Sequence, residues 1–136
     1  MIEEDFDTHY SLRIWVDEQN SHKIDEILGV KTNQRLPTWW ELVYTLQDEN
    51  EYLPFVDYFL DLLDGKYEQL KEIGVHRDAI SVWYTYCYDS QCNMEFSSKE
   101  MYRLGKEGIG LCITCYNIHE YNAKYDEMGN IVNEGK

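Results

Sequence analysis

The chain has 136 residues, enough to bury one core as a single domain. Its 26 Asp plus Glu against 12 Lys plus Arg leave a net charge of −14. That charge speaks against nucleic acid and anionic membranes as partners, because their phosphates repel such a surface. It suits high solubility or a basic protein partner.

No apolar run reaches membrane-spanning length. The opening MIEEDFDTHY is acidic and has no apolar stretch of the kind a secretory signal needs. A cytoplasmic location is expected, with the four cysteines as reduced thiols.

Residues 1–9 read as a polar lead-in. Residues 10–16 read as a first strand, with Leu12, Ile14 and Val16 on one side and Arg13 and Trp15 on the other. Asn20 or Ser21 is the expected N-cap of a short helix carrying Ile24, Ile27 and Leu28. Gly29 is placed to stop it. Residues 30–38 read as a loop containing Pro37. Residues 39–46 read as a second strand, with Trp40, Leu42, Tyr44 and Leu46 on its apolar face.

An acidic turn is expected over 47–51. Pro54 suits the first helical position, where its missing N–H does no harm. Phe55, Phe59, Leu62 and Leu63 then recur at helical spacing. Gly65 should break this helix, and Tyr67, Leu70 and Ile73 continue the period in a second piece ending near Gly74.

Residues 79–116 are the most informative stretch. They read as strand, turn, short strand, capped helix, strand. Ile80, Val82, Tyr84, Tyr86 and Tyr88 share one face, and Ser81, Trp83, Thr85 and Cys87 share the other. Asp89-Ser90-Gln91 reads as a turn. Ser97-Ser98-Lys99-Glu100 matches a capping box, in which the serine hydroxyl and the glutamate carboxylate each accept from the other's backbone. Gly105 and Gly108 bracket the helix end, and residues 111–118 form another strand. In the polar tail, Met128-Gly129-Asn130 suits a hairpin returning Ile131 and Val132 to the last strand; disorder is the alternative there.

These elements imply an α+β fold: a two-layer sandwich with a mixed, mostly antiparallel sheet covered by helices, ferredoxin-like or related. Residues 1–120 make the domain, and 121–136 a tail or small hairpin.

The strand YSLRIWV with the helix ending in ILGV, the Trp-bearing second strand, and ISVWYTY with SSKEMYRLGKEGIGLCITCY resemble a known family. It is the uncharacterised bacterial domain-of-unknown-function family 4279. The resemblance covers roughly residues 8–118. It implies a compact bacterial α+β domain and no assigned activity, so it places no functional residues.

Chemistry-bearing groups are sparse. Cys87 and Cys92, with Cys112 and Cys115, supply four sulfurs, as a zinc site would need. However, Cys112 and Cys115 sit three apart in a strand and point to opposite faces. No metal or cofactor is therefore expected, and buried structural thiols are the favoured reading. His9, His22, His76 and His119 are scattered, and His119 is the one placed beside a strand end. A Cys92–His119 nucleophile pair lacks any orienting group. Asp57, Asp61 and Asp64 recur on one helical face, where like charges repel unless solvated or met by a cation.

Aromatic residues make up 15% of the chain, and this excess carries the functional reading. Trp15, Trp39 and Trp83 lie opposite the aliphatic strand faces. There they serve either as interface anchors or as second-face packing.

Three readings result. The favoured one is a non-catalytic module binding a basic protein, for instance an immunity-type inhibitor of a basic toxin, through the tryptophans or Asp57, Asp61 and Asp64. The second is a small-ligand binder or enzyme with a pocket near Asp89, Cys92, Glu95 and His119. The third, compatible with either, is a homodimer through strand edges or the aromatic sheet face.

Overall fold

Period-two alternation builds the centre of the molecule. In the computed structural model, which describes residues 8–32, 34–47, 53–121, 124–125 and 131–132, strand β1 spans His9–Trp15. It sends Tyr10, Leu12 and Ile14 into the core, and Arg13 and Trp15 the other way. Helix α1 follows over Glu18–Leu28. Its N-cap is Asp17, whose carboxylate accepts from the Asn20 backbone N–H. The helix thus starts earlier than a cap at Asn20 or Ser21 would allow, because an aspartate just upstream caps at least as well. Gly29 closes it in the left-handed region at φ 73, the conformation glycine adopts without steric cost.

The expected loop over 30–38 instead holds a short strand, β2, Gln34–Leu36. It pairs antiparallel with β3, Trp39–Thr45. Pro37 and Thr38 make the connection, so a two-residue hairpin lies in a stretch too short for alternation to reveal. Helix α2 covers Phe55–Leu63 and α3 covers Tyr67–Glu72, with Gly65 between them at φ 76. Pro54 is the N-cap of α2, one position before its expected place. A single 3₁₀ turn leads into β4, Ile80–Tyr88.

The short strand expected after Asp89-Ser90-Gln91 does not form. Residues 91–97 are irregular up to the cap of α4, Ser98–Glu107. The capping box is present: Ser97 Oγ accepts from Glu100 N, and Glu100 Oε1 accepts from Ser97 N. Gly105 lies inside the helix and Gly108 caps it. Strand β5, Gly110–Asn117, leads into the one-turn helix α5, Ile118–Tyr121.

The sheet order is β2-β3-β1-β4-β5. Every neighbour is antiparallel except β4 and β5, which run parallel as a crossover through α4 demands. The first four strands, in the order 4-1-3-2 with helices after β1 and β3, form the ferredoxin-like β-α-β-β-α-β pattern. The α4–β5 unit extends that sheet by one strand. The hairpin in the tail also differs from expectation. Strands β6, Lys124–Tyr125, and β7, Ile131–Val132, pair with each other in a separate two-stranded sheet and do not join β5. The acidic stretch 48–51 and the hairpin turn at 128–130 lie outside the described residues.

One core sits between the sheet and the helices. Leu12, Ile14, Trp40 and Val82 come from the sheet. Ile24, Phe59, Leu60, Leu63, Leu70 and Leu104 come from α1–α4. Helix α2 presents Phe55, Val56, Phe59, Leu60 and Leu63, a wide apolar stripe that seats it deeply. The buried Trp40 indole donates to Asp25 of α1 at 2.7 Å, which satisfies its one polar atom. No helix among the described residues is long and apolar enough to cross a membrane.

Candidate functional site

The buried side chains of α1–α4 belong to a single cluster on one side of the sheet. The opposite side is built by the alternate residues of the same strands. Register places Trp15 opposite Trp39, Arg13 between Glu41 and Ser81, and Ser11 between Val43 and Trp83. Among the described residues no helix covers this face.

Its organising group is Arg13. The guanidinium carbon sits 4.0 Å from the Trp83 ring centroid and 4.9 Å from that of Trp39. A cation held between two indole faces is attracted by both ring quadrupoles. Arg13 also pairs with Glu41 at 3.4 Å. Glu41 in turn accepts from the Trp39 indole, and Trp83 donates to Ser81 Oγ at 2.8 Å. Trp15 packs edge-on against Trp39, with centroids 5.1 Å apart, and is 49% exposed. The three tryptophans are thus brought together, with two rings pinned by Arg13 and the third projecting. Nε of Arg13 is buried and has no hydrogen-bond partner among the described residues.

Asp57, Asp61 and Asp64 occupy a different surface. They line an open cleft of about 1060 Å³ between α2 and α4, facing Arg103 and Lys106. Arg103 reaches Asp57 and Asp61 at 2.8 Å each and Glu107 at 2.9 Å. Hydrogen bonds to Asp57 and Asp61, with Glu107 adding to them, raise the Arg103 pKa further and hold it charged. The cation that offsets Asp57 and Asp61 is therefore supplied within the chain. Glu107 also accepts from the Tyr67 hydroxyl, and Arg77 stacks on the Tyr67 ring at 3.6 Å. Burial, then the bond to Glu107, pushes the Tyr67 phenol well above its ordinary value.

The strand-end residues form a third group. Asp89 pairs with Nε2 of His119, and both are largely exposed. Cys92 meets Cys115, not His119: their sulfurs lie 3.2 Å apart. Both thiols are exposed, against the expectation of buried structural cysteines, and they lie on the edge strand β5 and on the irregular segment before α4. Cys112 pairs across from Trp83 and Cys115 from Tyr86, so the two point to opposite faces as their spacing requires. Glu95 is exposed on the irregular segment before α4. The α2–α4 cleft and a smaller one beside α3 are lined by other residues, and neither includes Asp89, Cys92, Glu95 or His119.

Sequence patterns alone do not assign the roles of Arg13, Glu41 and Arg103 or the Cys92–Cys115 contact. Arg13 carries a signal, since it shares strand parity with Trp15. Arg103 carries another in its i,i+4 spacing to Glu107. No family model, curated protein or solved structure matches this chain.

Proposed function

We propose that this domain is a non-catalytic protein-binding module that docks a basic partner on the helix-free face of its sheet. An immunity-type inhibitor of a basic toxin is the concrete instance. The observation that carries the reading is the Arg13-pinned tryptophan cluster with Trp15 projecting from it. Trp and Arg supply most binding energy at protein interfaces. Rings already held in place lose little freedom on docking. The net charge of −14 favours a basic partner and speeds its approach.

Asp57 and Asp61 support this role less, because Arg103 already neutralises part of their charge. The test is a pull-down from host lysate with the wild-type chain and Trp15→Ala as baits, at low and high salt. One basic protein held by wild type, weakened by salt and lost with Trp15→Ala, is the expected result. Equal capture by both baits would remove the tryptophan face from consideration. A self-associating wild-type bait would turn the reading toward a homodimer through the same face.

A further inference from the structure

The strand ends hold a pair of thiols that partner docking does not use. Because β5 runs parallel to β4, both strands finish at the same end of the sheet, with Tyr86 beside Cys115 and Tyr88 beside Asn117. The chain leaves β4, turns at Asp89 and Ser90, and brings Cys92 to Cys115. Their sulfurs are 3.2 Å apart, and both residues are exposed free cysteines. Cys87 and Cys112 are partly buried and face the other side of the sheet.

We propose that Cys92 and Cys115 form a reversible disulfide that staples the segment between β4 and α4 to the edge strand β5. The sulfurs need to close from 3.2 Å to the roughly 2.0 Å of a disulfide, within the reach of side-chain rotation. The oxidant is a low-molecular-weight disulfide, RSSR. The Cys92 thiol loses its proton and attacks one sulfur of RSSR, giving a mixed disulfide and releasing the first RSH. Cys115 then loses its proton and attacks Sγ of Cys92, releasing the second RSH. Two protein thiols are oxidised and one RSSR is reduced to two RSH, so electrons and protons balance.

The hydrogen bond with Cys92, then partial burial, raises the pKa of the Cys115 thiol. A thiol that holds its proton is the slower nucleophile at neutral pH, which suits the resolving role. The bond would close a covalent ring around α4, across 23 residues of chain separation. It would tie that unit to the sheet without touching the tryptophan face. The disulfide is independent of the binding role and stands or falls without it.

The test equilibrates the full chain in buffers of graded oxidised to reduced glutathione, followed by acid quench, alkylation and peptide mass spectrometry. The expected species is a Cys92–Cys115 cross-linked peptide, with loss of two hydrogens from the intact chain and reversal by dithiothreitol. Cys92→Ser and Cys115→Ser each abolish it, and the Cys87→Ser/Cys112→Ser double variant keeps it. Separate glutathione adducts on Cys92 and Cys115, a cross-link through Cys87 or Cys112, or full alkylation of both thiols in the most oxidising buffer would overturn the proposal. If a variant fails to fold, the cross-linked peptide from the wild-type chain alone decides between these outcomes.

Discussion

The two faces of the sheet come from the same strands, yet they hold together by different means. On the helical face Leu12, Ile14, Trp40 and Val82 have no exposure to solvent. On the other face Arg13, Trp39 and Trp83 are half-buried and Trp15 is exposed. The first is sealed by area removed from water. The second is held by stacking, one ion pair and indole hydrogen bonds, set over the buried polar residues Ser11 and Glu41. In β1, Tyr10, Leu12 and Ile14 carry the core, while Arg13 and Trp15 carry the chemistry of the other face.

This contrast breaks most sharply at Phe59, fully buried on α2. Phe59→Ala should lower the unfolding free energy by about 3–5 kcal/mol in urea denaturation, since it leaves a cavity under the sheet. Asp25→Ala tests the same face through its polar side. It strips the partner from the buried Trp40 indole and should cost about 1–3 kcal/mol in the same assay. Ser97→Ala removes the cap of α4, for about 1 kcal/mol. Trp15→Ala, on the open face, loses only a half-exposed ring and its edge contact with Trp39 and should cost about 0.5–1 kcal/mol. A large loss there would mean that the face is structural.

The α2–α4 surface adds a pH dependence. The Tyr67 pKa is raised in the fold by burial and by Glu107, whereas an unfolded tyrosine ionises near about pH 10. A raised folded pKa means that the folded state holds the proton longer. Its contribution is fully present below the unfolded value and is lost as pH rises through the folded one. Thermal melts across the alkaline range should show the fall, and Tyr67→Phe should make it shallower.

How much is legible in the sequence follows from the length of each pattern. The strands β1, β3, β4 and β5 run for seven or more residues, enough for period two to stand out. The capping box at Ser97 and the stop at Gly29 rest on local chemistry that sequence shows directly. Strand β2 has three residues and exists by pairing with β3, which local sequence does not display. The strand expected within 91–97 is missing for the opposite reason, since no neighbouring edge pairs with it.

The site divides in the same way. The shared face of Trp15, Trp39 and Trp83 is readable from parity within each strand. That Arg13 pairs with Glu41, and that Arg103 claims Asp57 and Asp61, depends on contacts 28 and more than 40 residues apart. Spacing within one element says nothing about which cation arrives from another. Strand-end positions alone would join Cys92 to His119; the parallel register of β4 and β5 brings Cys115 to it instead.

The central claim is that the tryptophan face, and not the aspartate cleft, binds the partner. The measurement that meets it most directly is calorimetric titration of the captured basic protein against three chains: wild type, Trp15→Ala, and the Asp57→Asn/Asp61→Asn double variant. The account predicts at least about ten-fold weaker binding for Trp15→Ala and a change within about two-fold for the aspartate variant, whose carboxylates already serve Arg103. Full affinity in Trp15→Ala with a large loss in the aspartate variant would contradict it and move the docking surface to the helices.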